Sequence, residues 1–276
     1  MSQYSILVNT CDNFEDCWDP FFKLFSTFWS DYNGTIYLNT EKKHYAFEQL
    51  NIVPLKVAKD IGEGQRLTWS ECLIRALNNI DNDIVLYMQE DYFIKADVKN
   101  DLVEKYVQLM HSNINIDCIH LTDQSVISEN TESIYEKLFP VVLKQRYRVS
   151  CQAALWRKDV LLELLRSYES AWEFEEFGSK RSAILKHKFY VVDKNWIKLN
   201  EFEIIPYIFT GIIQGRWYNE VVPLFLNNDI KIDYNKRGFF EDAKPKPTKL
   251  KIIHKYQKIL IYFKNIPELV KLKMQN

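Results

Sequence analysis

Two adjacent acids, Glu90 and Asp91, directly follow the apolar run of residues 84–88. The run is rich in strand-forming residues and too short for an independent helix, so it predicts a strand buried on both faces. Ligands of open α/β sheets bind outside the carboxyl ends of the strands. Two carboxylates there could meet a divalent cation or a sugar hydroxyl. The alternative is a solvated turn after a core strand.

A second acidic patch spans residues 169–179, where acids alternate with aromatic side chains. Aromatic faces beside carboxylates commonly hold sugar rings, and a carboxylate there could accept a proton from an attacking hydroxyl. Glu173 and Glu175 are the candidate bases, with Glu173 preferred, although alternation does not decide which acid faces a cleft. The alternative is the start of an amphipathic helix, where acids in the first turn are favoured by the helix dipole.

Three further side chains are candidates by position. Arg66 follows a glycine-containing loop and precedes a predicted helix, where it could meet a phosphate, or it is a surface arginine. His120 ends an apolar segment and is either a base or a structural hydrogen-bonding group. Trp217 lies in the glycine-containing segment 210–218, which we expect beside the cleft.

Composition narrows the classes of function. The 276 residues are 47% hydrophobic and 14% aromatic, which suits a packed core and excludes a disordered chain. With seven glycines the chain contains neither phosphate-loop fingerprint, and its net charge of −1 argues against a nucleic-acid partner. Five cysteines without a C-x-x-C pair predict reduced, buried thiols in a cytoplasmic protein. We expect neither a signal peptide nor a transmembrane segment.

Strands and helices alternate with short links at the start of the chain, which predicts a parallel, nucleotide-binding type of sheet. Segment 125–148 is uneven and is expected to contain an insert or a hairpin. The predicted strands are 4–8, 36–38, 52–57 and 84–88, with short strands within 188–207. The predicted helices begin at Asp19-Pro20 and at a cap on Thr68 or Ser70, and cover 97–110 and 158–168.

The C-terminal segment differs in charge from the rest of the chain. Residues 241–276 carry nine lysines and three acids, a net charge of +6, which leaves −7 for the first 240 residues. Residues 244–247 predict a stiff linker, and a basic amphipathic helix follows that could lie on an anionic membrane surface. The alternative is a helix docked on its own domain or on a partner. The predicted units are therefore 1–240 and 241–276.

Four segments together resemble bacterial glycosyltransferases of the GT-A fold, in particular those that build capsule, O-antigen and other surface polysaccharides. They are residues 6–12, 69–77, 89–93 and 152–175, and the resemblance covers about residues 1–240. It implies an α/β, Rossmann-type sheet, mixed but mostly parallel, flanked by helices. It also implies a strand-end Asp-x-Asp motif that holds a divalent metal on the donor. The matching triplet is Gln89-Glu90-Asp91, so Asp91 would be the metal ligand and Glu90 a second ligand or a sugar-hydroxyl acceptor.

The replacement of the first acid by Gln89 leaves dependence on Mn²⁺ or Mg²⁺ open. The implied reaction moves a sugar from a nucleotide-diphosphate donor to a saccharide or lipid-linked saccharide, in the cytoplasm or peripherally on the inner face of the membrane. The expected contacts with the donor are made by Thr10, Asp12, Asn39, Thr40, Arg66, Glu90 and Asp91. The expected contacts with the acceptor are made by Trp172 and Trp217.

Two other functions stay open. A non-catalytic module that binds a nucleotide or glycan and scaffolds other enzymes at the membrane would explain the imperfect triplet and the basic tail. A nucleotidyltransferase uses a similar sheet, but the absence of a glycine- and lysine-rich phosphate loop near the N-terminus counts against it.

Overall fold

The computed structural model describes residues 3–122, 128, 133, 135, 137–242 and 248–275. The side chains of residues 242 and 248–258 lie outside that description, as do the segment 243–247, which contains the predicted linker, and much of the predicted insert between 125 and 136.

Eight strands form one mixed sheet in the order β3-β2-β1-β4-β7-β5-β8-β6. The strands are β1 (Ser5–Asn9), β2 (Ile36–Asn39), β3 (Ile52–Pro54), β4 (Ile84–Gln89), β5 (Cys118–His120), β6 (Leu138–Pro140), β7 (Ala154–Arg157) and β8 (Phe189–Val192). Four of the seven pairings recorded among them are parallel, and the pairings of β7 with β4 and β5 and of β6 with β8 are antiparallel. The predicted mixed α/β sheet is therefore confirmed.

Helices cover both faces of this sheet. They are α1 (Trp18–Phe28), α2 (Trp69–Leu77), α3 (Asn100–Ser112), α4 (Lys158–Leu164), α5 (Ala171–Glu173), α6 (Ser179–Ile184), α7 (Val221–Asn227) and α8 (Thr248–Gln275). A five-residue π-helix, Phe174–Gly178, joins α5 to α6. A small hairpin, β9 (Ile212–Ile213) with β10 (Arg216–Trp217), follows the large sheet.

Strand β4 lies in the interior of the sheet, between β1 and β7. Its first five residues are buried, as expected for a strand covered on both faces. Alternate side chains divide between two cores: Leu86 and Met88 pack with α1, whereas Val85 and Tyr87 pack with α2 and α4. The strand that ends in the paired acids is therefore held rigidly by packing on both sides.

Several element boundaries differ from the predictions. The helix expected to have Asp19 as its cap and Pro20 as its first residue begins two residues earlier, at Trp18, because a 3₁₀ helix (Asp12–Cys17) leads directly into it without a side-chain cap. Thr68, rather than Ser70, caps α2 and forms a capping box with Glu71. Helix α4 ends at Leu164, four residues before the predicted end, and β3 ends at Pro54, whose ring removes a ladder donor.

The five cysteines are free thiols, and all but Cys11 are buried, as predicted. None of the helices within the described residues combines the length and the apolarity needed to span a bilayer.

Candidate active site

Three parallel strands deliver polar residues to one edge of the sheet. The register pairs Asn9 of β1 with Asn39 of β2 and with Gln89 of β4. Thr10, Thr40 and Glu90 are the next residues of these strands, so they leave the sheet side by side. The candidate donor residues predicted from three separated segments therefore meet at a single edge, the carboxyl end of the parallel strands.

Glu90 and Asp91 are buried, with 8% and 7% of their surfaces exposed. This burial excludes the solvated turn. Burial raises the pKa of Glu90 well above its ordinary value, and the neighbouring charge of Asp91 raises it further. Burial also raises the pKa of Asp91, although several hydrogen-bond donors oppose that rise.

The loop before β9 holds the Asp91 carboxylate. The Thr210 hydroxyl donates to Asp91 Oδ2 over 2.8 Å, and the Ile212 backbone N–H donates to the same oxygen over 3.1 Å. Between these donors, the Gly211 N–H donates to the Asp91 carbonyl oxygen over 2.9 Å. A Cβ atom on Gly211 would lie 2.2 Å from Cε2 of Phe93, so the close approach of this loop requires glycine. The role of Thr210 could not be found from sequence, because it lies 119 residues away from Asp91.

The chemistry of the acid pair is compatible with binding of a cation. Within the described residues no basic side chain forms an ion pair with either acid, and no cluster of three or more metal-ligating groups is found. A divalent cation would reduce the electrostatic repulsion between these two carboxylates. Its remaining ligands would come from diphosphate oxygens and water, a common arrangement for Mg²⁺. The donor set therefore fits a cation shared with a ligand rather than one held by protein alone.

The residues predicted to hold a nucleoside are largely engaged within the protein. The Asp12 carboxylate accepts hydrogen bonds from the backbone N–H groups of Glu41, Lys42 and Lys43. Thr40 accepts one from the Lys56 N–H over 3.1 Å.

The other two members of the group are also paired. Thr10 accepts from the indole of Trp18 over 2.9 Å, and Asn39 donates to Asn9 over 2.7 Å. These side-chain contacts fix the loops after β1 and β2.

Two arginines lie near this edge. Arg66, whose side chain is mostly exposed, lies 3.5 Å from Glu41. Arg237, which was not among the predicted site residues, forms a two-pronged ion pair with Asp16, and its charge lowers the pKa of Glu90. Its sequence context, a turn more than 140 residues from Glu90, offers no signal.

The two candidate bases have different surroundings. The Glu173 carboxylate accepts from the Ser170 N–H over 2.8 Å and completes the capping box of α5. Glu175 lies in the π-helix, and its carboxylate accepts from the Cys151 N–H over 2.9 Å, just before β7. Burial raises the pKa of Glu175. The capping-box contact of Glu173 matches the helix-start alternative, whereas Glu175 contacts the segment before β7.

A hydrogen-bonded network links the strand of the acids to the strand beside Glu175. The Tyr92 hydroxyl donates to the Cys151 carbonyl over 2.8 Å and accepts from the Gln152 amide over 3.0 Å. The Tyr207 hydroxyl donates to Gln152 over 2.8 Å, and its ring stacks on that of Tyr92. These contacts hold the segment that carries Glu90 and Asp91 against the segment that contacts Glu175.

The two tryptophans predicted to contact an acceptor differ in exposure. Trp172 is 79% exposed and offers an open indole face. Trp217 is fully buried and packs against Phe93, Phe225 and Tyr234. Packing of β10 against the core places Trp217 behind the site, so the expectation that it lines a cleft is corrected.

A cavity of about 420 Å³ lies along the segment that follows Pro206, and its lining includes Lys95, Glu203, Tyr207 and Phe209. Lys95 forms an ion pair with Glu203 over 3.0 Å. Because Thr210 comes next in the chain after Phe209, this cavity adjoins the loop that holds Asp91.

His120 is a structural residue. Its ring is fully buried and lies 3.1 Å from the Arg148 carbonyl oxygen. Burial lowers its pKa to about 3, so the imidazole is neutral at physiological pH. Of the two alternatives stated from sequence, the structural one describes it.

No family model matches the sequence, and no curated protein matches it. Among solved structures, the chain is similar to residues 1–349 of TarS from S. aureus at 11% identity, with a TM-score of 0.45, over 70% of this chain and 58% of that chain. It is similar to glucosyl-3-phosphoglycerate synthase from Mycobacterium tuberculosis at 10% identity, with a TM-score of 0.43, over 69% of each chain. It is also similar to a mycobacterial protein at 11% identity, with a TM-score of 0.46, over 83% of this chain and 75% of that chain.

Proposed function

We propose that this protein is a glycosyltransferase that moves a sugar from a nucleotide-diphosphate donor to a saccharide or lipid-linked saccharide in the synthesis of a surface glycan. The observation that carries the proposal is the buried pair Glu90 and Asp91, which forms no ion pair within the described residues and lies at the carboxyl end of β4, the edge where open α/β sheets bind ligands. Buried acids with raised pKa values in such a position are typical of functional sites.

In the proposed reaction an acceptor hydroxyl oxygen forms a bond to the anomeric carbon, and the bond from that carbon to the diphosphate oxygen breaks. In an inverting transfer the hydroxyl proton passes to a carboxylate, and Glu175 is the group we assign. Its pKa, raised by burial, brings it closer to the pH at which it works. The carboxylates of Asp12 and Asp91 keep the surrounding loops in place.

The departing nucleoside diphosphate carries negative charge that must be neutralised. Arg66 and Arg237 are the cationic side chains proposed for this role. Glu90 and Asp91 would hold a divalent cation, Mn²⁺ or Mg²⁺, which when bound supplies charge neutralisation at the diphosphate. Trp172 and the cavity beside Phe209 are proposed to contact the acceptor. A lipid-linked acceptor would lie at a membrane, which the basic segment 241–276 would help the enzyme to reach from the cytoplasmic side.

A non-catalytic scaffold that binds a nucleotide or glycan is the second candidate. It is favoured by Gln89 in place of an acid and by the engagement of Asp91 Oδ2 with Thr210 and Ile212. Slow hydrolysis of the donor without acceptor distinguishes the two, because a transferase cleaves the sugar nucleotide and a scaffold releases it intact.

The test is a panel of sugar nucleotides screened by thermal shift with and without Mn²⁺, followed by a hydrolysis assay on the donors that bind. A ligand that binds only the folded state raises the Tm according to its concentration relative to its Kd. We expect a Mn²⁺-dependent shift for at least one donor, reduced in Glu90→Gln. A panel in which no sugar nucleotide changes the Tm under either condition contradicts the proposal.

A further inference from the structure

One face of α8 carries a row of exposed apolar side chains, which we call the α8 stripe. It consists of Ile259, Phe263, Ile266, Val270 and Met274, and Leu260, which is also exposed, lies beside it. Successive members lie three or four residues apart, so they fall within about 80° of the helix circumference. Exposed apolar side chains gathered in a single stripe on a surface helix indicate a binding surface, unlike apolar residues scattered singly.

The opposite face of the same helix is docked on the protein. Asn265 is fully buried and accepts from Arg181 over 3.0 Å and from Tyr168 over 3.2 Å. Glu268 forms an ion pair with Arg166. Asn265 lies about 140° around the helix from the centre of the stripe. Because the Asn265 face of α8 packs on the protein, the α8 stripe faces away from it.

The charge around the stripe is positive. Lys271 and Lys273 are exposed in the described half of α8, and Glu268, the acid of that half, is tied to Arg166. Lys264 lies on the docked side, with its ammonium 5.2 Å from the centre of the Tyr168 ring. The whole segment 241–276 carries a net charge of +6. A second copy of the chain would bring like charges to the same stripe, whereas an anionic lipid surface is complementary to both the lysines and the apolar row.

We propose that the α8 stripe inserts into the interfacial region of an anionic membrane while the flanking lysines contact lipid headgroups. The helix lies flat on the bilayer surface, with its docked face toward the sheet domain. Because α8 rests on the segment from Arg166 to Arg181, this orientation holds the part of the chain that carries Glu175 close to the membrane.

The experiment measures partition of the full chain between buffer and vesicles by co-sedimentation. The probes are vesicles of equal parts phosphatidylglycerol and phosphatidylcholine, and vesicles of phosphatidylcholine alone. We expect binding to the first, weakened by salt, and little binding to the second. The double variant Phe263→Ser/Val270→Ser should lower the partition coefficient by about tenfold or more.

Leu226→Ser is the matched control, because Leu226 on α7 is 70% exposed, as is Phe263. It should bind vesicles as the wild type does. Helix content and Tm of the double variant should stay near wild type, since both side chains face away from the docked surface.

Equal binding to both vesicle types would overturn the recognition of anionic lipid. Absence of binding to either vesicle type would overturn the membrane assignment. If light scattering then showed a dimer that the double variant dissociates, the α8 stripe would be an interface between two copies of the chain. Neither donor nor acceptor enters this measurement, so its result is independent of whether the protein transfers sugar.

Discussion

Replacing Gly211 with alanine tests how tightly the site depends on the loop before β9. The new Cβ would lie 2.2 Å and 2.6 Å from two ring atoms of Phe93 and 3.0 Å from the Asp91 carbonyl oxygen. Phe93 is fully buried, with its ring 4.8 Å from that of Phe225, so it has little room to move. Overpacking of this kind costs about 1–3 kcal/mol, which corresponds to a Tm loss of roughly 2–12 °C.

The same substitution should weaken donor binding, because Thr210 and Ile212, which hold the Asp91 carboxylate, flank the displaced residue. The assay is thermal unfolding followed by a donor titration on the folded variant. Gly62→Ala is the control, since a Cβ there meets nothing within 4 Å. In the double variant Gly211→Ala/Phe93→Leu the smaller side chain should make the combined loss less than the sum of the single losses. A Gly211→Ala protein with wild-type Tm and donor affinity would refute the contact.

Three further results are expected. Glu90→Gln should raise the Tm at pH 8, because the raised pKa of Glu90 in the folded state means that the ionised carboxylate destabilises the fold. This gain in Tm should shrink as the pH falls toward 4, and a gain that does not depend on pH would contradict the explanation. Glu175→Gln should abolish transfer but keep donor binding, whereas Glu173→Gln should keep both transfer and stability, because a glutamine amide oxygen can also complete the capping box of α5; equal transfer by both would remove the base assignment. Arg181→Met should lower the free energy of unfolding measured in urea by about 3–5 kcal/mol, because it leaves the buried Glu169 unpaired. A decrease below about 1 kcal/mol would contradict that explanation.

The central architecture could be predicted because it depends on local patterns. The apolar run of β4 and its position before two acids are visible in sequence, and the short links between the first elements favour parallel strands. The ends of the elements were less predictable. Helix α1 begins where a 3₁₀ helix runs into it, and such junctions carry no capping residue to mark them.

The partners of the site residues could not be predicted, because they come from distant parts of the chain. Thr210 and Arg237 approach the acids of β4 only after the hairpin and the segment beyond it fold back onto the sheet. Trp217 shows the converse error: an aromatic residue in a glycine-containing loop looks exposed in sequence, yet its ring packs into the core.

Two other acids with low exposure each have an arginine partner, unlike the acid pair that follows β4. Glu169 is fully buried, but Arg181 lies 2.5 Å from it and neutralises it. Asp16, which is partly buried, has Arg237 as its partner. In the described residues Glu90 and Asp91 have no such ion pair, although the fold can supply arginines to buried carboxylates elsewhere. Two adjacent acids that are buried without an ion pair lower the stability of the free protein, and under the proposed function a positively charged ligand, such as a cation bound with a diphosphate, would offset that loss on entering the site.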